Sequence, residues 1–197
     1  MQKIFLTDHE IAKYSEKDKS LFPGPPEKCP HKDCHACVKM KNHGYYTRNI
    51  ISSEYTGRIY IRRYMCSICG KTMSMLPMYC LPYYQYSLQL IFLILYGYYC
   101  RSKSLSGIIR EQRQTYSALE RRHICLYRQR FENNRQLIEY GINNISPGSL
   151  FLGNHPEIHM WAKETLEEIA KTPPSIFNQR FHQETNKSFM SHMKMIA

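Results

Sequence analysis

The chain has 197 residues, 43% of them hydrophobic, which is enough for one medium domain or two small ones with a real core. This composition excludes a chain that is disordered throughout. Lysine and arginine number 27 against 16 acidic residues, and the net charge of +11 makes a polyanion the first class of partner to consider.

The positive charge is concentrated in the first 140 residues. Residues 1–80 carry +6, residues 81–140 carry +5, and residues 141–197 are neutral. A nucleic-acid site is therefore expected before residue 140.

Residues 1–27 are expected to form a helical segment followed by a linker. Ile4, Ile11 and Tyr14 stand among charged residues in the first twenty or so positions, a pattern compatible with a helix. The stretch FPGPPEKCP then stops any helix. Because the opening residues are charged throughout and contain no secretion leader, we expect a cytoplasmic protein, in which clustered cysteines bind metal more often than they form disulfides.

Residues 28–80 contain the signals of a zinc ribbon. Two β-rich runs, GYYTRNII and RIYIRRYM, flank a polar turn that ends in Gly57, which predicts a hairpin. Alternation in the second run places Ile59, Ile61 and Met65 on one face. The opposite face then carries Arg58, Tyr60, Arg62 and Tyr64.

Two cysteine pairs flank this hairpin. Cys29 and Cys34 form C-x4-C before it, and Cys66 and Cys69 form C-x2-C after it. Zinc prefers four such ligands in a tetrahedron, and a closed set of four thiolates leaves no open position for catalysis. The spacing therefore predicts one structural Zn2+.

The first pair leaves alternatives open. Cys37 also forms a C-x2-C with Cys34 and can replace Cys29, and His31 or His35 can substitute for a thiolate. The remaining thiols lie in or beside apolar stretches and are expected in the core. They are Cys80, Cys100 and Cys125.

Residues 81–140 are expected to form three helices. The first, from about Tyr86 to Tyr99, is apolar nearly all round but shorter than a membrane span, so it is predicted to be a buried central helix. The second begins after Ser104 as N-cap and carries Leu105, Ile108 and Ile109. The third begins near Thr115 or Ser117, where Ser117 and Glu120 match a capping box.

The third helix divides into an apolar and a basic face. The apolar face is predicted to contain Tyr116, Leu119, Ile124, Leu126, Tyr127 and Phe131. The basic face is predicted to contain Arg121, Arg122, Arg128 and Arg135. Because a short helix and a turn of three to four residues precede it, we predict a helix-turn-helix whose third helix contacts double-stranded DNA.

Residues 141–197 carry weaker signals. HMWAKETLEEIAKT predicts an amphipathic helix, and the last twenty or so residues are expected to be loosely ordered. The predicted fold class is therefore α+β: a small zinc-ribbon hairpin module, then an α-helical helix-turn-helix domain and a helical C-terminal extension.

Four stretches of the sequence, in this order, carry a resemblance to a known family: CPHKDC, HGYYTR, RRYMCSICGKTMSMLP and LPYYQYSL. Together they resemble the zinc-ribbon start of bacterial insertion-sequence transposases and related transposon-associated proteins of undefined function. The resemblance covers about residues 28–135, and the second cysteine motif is its most specific part. It implies that Cys29, Cys34, Cys66 and Cys69 are the metal ligands and that the residues after Thr115 read DNA.

No catalytic activity is predicted. A nuclease of the transposase class needs three carboxylates that hold two metal ions, whereas the only aspartates here are Asp8, Asp18 and Asp33. We expect a DNA-binding protein associated with a mobile element, with phosphate contacts from Arg58, Arg62 and Arg63 and base contacts from Arg121, Arg122 and Arg128. The alternative is a docking subunit of a transposition or RNA-guided complex that holds nucleic acid non-specifically. No membrane partner is expected.

Overall fold

The computed structural model describes residues 1–16, 19–34, 36–116, 118–148 and 156–191. Within these ranges the protein has a mixed α+β architecture, with one four-stranded sheet and several helices. The α+β part of the predicted fold class is therefore confirmed.

The sheet contains β1 (Gln2–Phe5), β2 (Lys41–Ile51), β3 (Thr56–Met65) and β4 (Thr72–Pro77). The strand order is β1-β4-β3-β2, with β1 parallel to β4 and the other two pairs antiparallel. The β2–β3 hairpin was predicted. β1 and β4 were not, and β4 links the hairpin to the N-terminal strand.

The predicted alternation along β3 holds in the middle of the strand and fails at its end. Ile59 and Ile61 are fully buried, as predicted. Near the cysteines, however, Tyr64 is buried whereas Met65 is only partly buried. Tyr64 packs in a cluster with the cysteine side chains and donates a hydrogen bond to the Pro23 carbonyl, so residues before the hairpin cover this face of the sheet too.

The prediction of a helix over residues 1–20 was wrong. This segment contains β1 and two short 3-10 helices, Ile11–Glu16 and Lys19–Leu21. Tyr14 is fully buried and its hydroxyl donates to the Leu21 carbonyl at 2.9 Å. The apolar residues of the segment therefore complete the core of the sheet and do not form one helical stripe.

The first two predicted helices are present. α1 (Leu88–Tyr99) begins after Ser87, whose hydroxyl accepts from the Leu90 N–H, and it lies in the middle of the helical core. α2 (Leu105–Gln112) begins after Ser104, the predicted N-cap. Throughout the described ranges every helix is too short or too polar to cross a bilayer.

The third predicted helix begins later and is broken. α3 (Arg121–Asn133) and α4 (Arg135–Ile145) meet at Asn134. The capping box at the start of α3 consists of Glu120 and His123, whereas Ser117 of the predicted box lies outside the described residues. Buried Asn134 donates to the carbonyls of Arg130 and Ser191, which stabilises the break.

Because α2 ends at Gln112 and α3 begins at Arg121, residues 113–120 connect them. This connection is about twice as long as the three to four residues of a helix-turn-helix. The helix-turn-helix is therefore not confirmed. The predicted apolar face is buried at five of its six residues, and only Leu126 is exposed.

Two further helices follow. α5 (Ile158–Ile169) is the predicted amphipathic helix, and α6 (Pro174–Thr185) was not predicted. Phe181 and Phe189 are buried in the same core as α1, so the expectation of a loosely ordered end was wrong at least as far as residue 191. The proposed division of the chain at residues 27, 80 and 140 stays a prediction.

The crossing of α4 and α6 provides a test of this packing. A Cβ at Gly141 would overlap the ring of Phe181, which is fully buried, whereas a Cβ at Gly97 in α1 would make only ordinary contacts from 3.7 Å. We expect Gly141→Ala to lower the free energy of unfolding by about 1–3 kcal/mol. Gly97→Ala is the control, since removal of a helical glycine without a clash is expected to add about 0.5–1 kcal/mol. Chemical denaturation of both variants measures the difference, and equal effects would contradict the packing.

Candidate metal centre and basic surfaces

Four cysteines converge at one end of the sheet. The Sγ atoms of Cys29, Cys34, Cys66 and Cys69 all lie within 4.8 Å of one another. Cys29 and Cys69 are 3.8 Å apart, and Cys34 and Cys66 are 3.9 Å apart. A tetrahedron of thiolates about 2.3 Å from a zinc ion has edges of about 3.8 Å, so the spacing suits a metal ion. These four residues can hold one.

Disulfide bonds do not explain the cluster. A disulfide requires two sulfurs about 2.05 Å apart, well below the spacings above. All eight cysteines lie in the described part of the chain, and none of them is in a disulfide. The cluster is thus a set of reduced thiols, the form that binds metal.

The second cysteine pair is positioned by the turn between β3 and β4. The Cys66 N–H donates to the Lys71 carbonyl, and the Gly70 N–H donates to the Cys66 carbonyl at 2.9 Å. Gly70 has φ +67°, a conformation that favours glycine, which accounts for its place directly after the pair. Backbone N–H groups of Cys69 and Ile68 lower the pKa of the Cys66 thiol to about 7, which favours the thiolate.

The first cysteine pair is held by a separate loop. The Cys29 N–H donates to the Ala36 carbonyl at 2.9 Å, and the Cys34 N–H donates to the His31 carbonyl at 3.0 Å. Burial raises the pKa of the Cys29 thiol to about 12. A metal ion held by the cluster would offset this cost, because metal ligation stabilises the thiolate.

The alternatives within the first pair are resolved by position. Cys37 is exposed and lies outside the cluster, so it does not replace Cys29. His31 is not in the cluster either, and His35 lies outside the described residues. Across the cluster, the Lys71 ammonium contacts the Asp33 carboxylate at 3.0 Å and joins the two loops at the surface.

The remaining cysteines differ from one another. Cys80 is fully buried beside the sheet and Cys100 is half-buried against the helical core, as predicted. Cys125 is exposed on α3, so its prediction as a core residue was wrong. Its position is adjacent to the buried Ile124, and a shift of one residue moves a side chain by about 100° around a helix.

The arginines of the hairpin occupy three different environments. Arg58 is exposed near the turn of the hairpin. Arg62 stacks over the ring of Tyr45 at 4.4 Å and over that of Tyr64 at 5.5 Å, and it is only partly exposed. Arg63 is also partly exposed. Arg58 is therefore the most accessible of the three predicted phosphate contacts.

The arginines of α3 are likewise unequal. Arg121 and Arg122 are exposed at its first turn, and Arg122 pairs with Glu120 at 3.0 Å. Arg128 lies over the ring of Tyr98 at 3.8 Å and pairs with Glu132, which fixes α3 against α1. Of the three predicted base contacts, Arg128 is therefore the least accessible, whereas Arg121 and Arg122 are exposed.

Two further arginines lie near α3 in the chain and were not among the predicted DNA contacts. Arg110 and Arg113, at the end of α2, are both exposed. Among the residues that the structure describes, neither they nor Arg121 forms a salt bridge, whereas the glutamates nearby pair with Lys103, Arg122 and Arg128. The imbalance of nine basic and three acidic residues between positions 101 and 135 was the signal that could have identified them.

Comparisons with known proteins give a partial match. Residues 29–116 match the family described as a domain of unknown function (DUF6431). This region begins at the first cysteine of the cluster and ends in the connection between α2 and α3. No curated protein and no solved structure matches the chain.

Proposed function

We propose that the protein is a non-catalytic DNA-binding protein in which one structural Zn2+ holds the cysteine end of the sheet. Zinc fits the donor set, since four thiolates at tetrahedral spacing suit it and leave no open position for a reactive water. When bound, zinc supplies a cross-link between the two cysteine loops. Association with a mobile element is part of the same proposal.

The proposal is carried by the exposed, unpaired arginines where α2 is joined to α3. Arg110, Arg113 and Arg121 gather within a short stretch of chain and lack the acidic partners that neutralise their neighbours in the described structure. A surface stabilised by its own salt bridges would have similar numbers of both signs. Guanidinium groups presented in this way suit both phosphate oxygens and guanine edges.

The hairpin turn lies close to the α2–α3 connection. Burial raises the pKa of the Tyr116 hydroxyl in this connection, and the nearby side chain of Ser53 in the hairpin turn partly offsets the increase. The Ile51 N–H also donates to the Gln85 carbonyl, which attaches the hairpin to the chain before α1. Arg58 is exposed and follows the hairpin turn by a few residues. In this proposal one duplex contacts both Arg58 and the start of α3, with Arg58 on a phosphate.

The roles of the arginines can be separated by mutation. We expect Arg121→Ala to weaken binding to the preferred duplex by about 1–3 kcal/mol and to relax preference at one position. Arg58→Ala is expected to weaken binding to all duplex sequences alike. It should also reduce the magnitude of the slope of log K against log salt concentration by about one. Selection from a random duplex pool followed by titration at several salt concentrations measures both effects.

The control for these variants is Arg180→Ala, which removes an exposed arginine on α6 in the neutral third of the chain. It removes the same charge from a different surface and is expected to leave affinity and salt slope nearly unchanged. Equal losses in Arg121→Ala and Arg180→Ala would show that only net charge matters. Undiminished binding in Arg121→Ala and Arg58→Ala would contradict the proposed site.

A second candidate function is favoured by one observation at the cysteine end. Ile68, between the two cysteines of the second pair, is 67% exposed at the tip of its turn. An apolar side chain on a rigid tip suits a protein contact. The protein would then dock into a transposition or RNA-guided complex through this tip and hold nucleic acid non-specifically. A random duplex pool from which no motif is enriched would favour this function.

A further inference from the structure

A tyrosine stands where the backbone favours glycine. Leu81 to Tyr84 form a turn closed by the Tyr84 N–H and the Leu81 carbonyl, with Pro82 and Tyr83 in the middle. Tyr83 has φ +70°, the third position of a turn that normally takes glycine or asparagine after proline. Its side chain is 89% exposed, so core packing does not explain the residue.

The turn is fixed to the hairpin. The Arg48 guanidinium donates to the carbonyls of both Leu81 and Tyr84, and the Ile51 N–H donates to the Gln85 carbonyl at 2.8 Å. The Tyr84 hydroxyl in turn donates to the Met190 carbonyl. A strained residue persists only when its surroundings hold it, and these contacts hold Tyr83 in place on the outside of the molecule.

Beside Tyr83 is an open cavity of about 280 Å³ between β2 and the turn, lined by Gln2, Tyr46, Arg48, Asn49, Tyr83, Tyr84 and Gln85. Within the described structure, the side-chain amides of Asn49 and Gln85 form no hydrogen bond. Arg58 lies directly across from Asn49 in the β2–β3 register, so their side chains are neighbours on the sheet. The cavity therefore combines aromatic rings with unengaged amides, and Arg58 lies outside its lining beside Asn49.

We propose that this cavity binds one unpaired nucleobase of a nucleic-acid strand, stacked on Tyr83 and hydrogen-bonded by Asn49 and Gln85. The inference deepens the proposed DNA-binding function and rests on it. An aromatic ring offers a face to any base, and primary amides both donate to and accept from base edges. Arg58, beside Asn49 on the sheet, would contact the phosphate backbone of the same strand. The preferred DNA would then include an unpaired or displaced strand next to a duplex.

The test compares a fluorescein-labelled oligothymidylate with a labelled duplex, each titrated with the full chain and followed by anisotropy. We expect Tyr83→Gly to weaken single-strand binding by about tenfold, since loss of one stacking ring has an effect of this order. Binding to the duplex should change less than twofold. Tyr83→Phe keeps the ring and should bind the single strand as the unaltered protein does.

The same titrations control for misfolding of the variants and distinguish a nucleic-acid strand from a free nucleotide. Tyr83→Gly removes backbone strain and should unfold no earlier than the unaltered protein, so weaker binding cannot come from misfolding. Tyr140→Ala, at another exposed tyrosine, should leave single-strand binding unchanged. Free thymidine monophosphate serves as the competitor. If it binds at least as tightly as the oligothymidylate and depends on Tyr83, the cavity is a site for free nucleotides and the strand proposal is overturned, whereas much weaker binding of the mononucleotide supports a strand.

The proposal is overturned if Tyr83→Gly binds the oligothymidylate as well as the unaltered protein, or if neither the strand nor the mononucleotide binds. Those results would leave duplex binding through Arg121 standing. Conversely, single-strand binding that depends on Tyr83, without any duplex binding, would overturn the duplex function and support the base site.

Discussion

Replacement of Cys66 by alanine is expected to abolish metal binding and to unfold the cysteine end of the sheet. Cys66 is fully buried, and its thiol lies 3.9 Å from that of Cys34 at the centre of the cluster. Zinc sites of this kind contribute about 10–16 kcal/mol to the folding of small modules, more than the whole stability of a typical domain. The loss should therefore affect residues 28–80 as a unit.

Cys37→Ala is the matched control, because it removes an exposed cysteine that lies outside the cluster but only three positions from Cys34. Native mass spectrometry should find one zinc ion per chain in the unaltered protein and in Cys37→Ala, and none in Cys66→Ala. A chelator should lower the melting temperature of the first two and leave that of Cys66→Ala unchanged. A protein that folds fully without metal, or loss of zinc from Cys37→Ala, would refute the assignment.

The leucines before and within α3 should respond very differently to truncation. Leu119 is completely buried in the helical core, whereas Leu126 is 38% exposed. We expect Leu119→Ala to lower the free energy of unfolding by about 2–5 kcal/mol, because it removes buried methyl groups and leaves a cavity. Leu126→Ala is expected to cost well under about 1 kcal/mol.

Urea denaturation of the two variants measures this difference, and both should keep the sequence preference of the unaltered protein once folded. A large loss in Leu126→Ala would mean that its exposed surface is covered by another molecule in solution. Equal and small losses in both would contradict the burial of Leu119 in the helical core.

Features that depend on nearby residues could be predicted from the sequence. The polar turn and the cap at Ser104 arise from interactions within a few positions, and the two strands of the hairpin follow each other directly in the chain. The choice of Cys29 and Cys34 needed the resemblance as well, since spacing alone did not exclude Cys37. The geometry settled it, because only one of the two candidates reaches the other thiols.

Features that depend on distant residues could not be predicted. β1 has four residues, too few for a periodic pattern, and β4 is nearly buried on both faces, so its sequence shows no alternation. The break at Asn134 depends on the Ser191 carbonyl, 57 positions away. α6 did give local signals, since Pro174 stands in its first turn and Phe177 and Phe181 are one turn apart.

The composition predicted a basic surface, but contacts with other side chains decide which of its arginines are free. The helical projection placed Arg121, Arg122 and Arg128 together, but it could not show that Arg128 would lie on the Tyr98 ring. Nor could it show that the connection from α2 would take up residues 113–120, which leaves Arg113 at its start and Arg121 directly after its end. Tertiary packing decides which cations remain unpaired, and helical periodicity gives no information about tertiary contacts.

The parallel pairing of β1 with β4 determines when the sheet can be completed during synthesis. Gln2 pairs with Ser74, so the first strand has no partner until about seventy further residues have been made. At roughly 5–20 residues per second this delay lasts several seconds on the ribosome, and α6, which packs against β1, follows only after another hundred or so residues. During this interval Ile4 has no core to enter. Apolar side chains that stay exposed during this interval favour aggregation, whereas the hairpin from Lys41 to Met65 can already form.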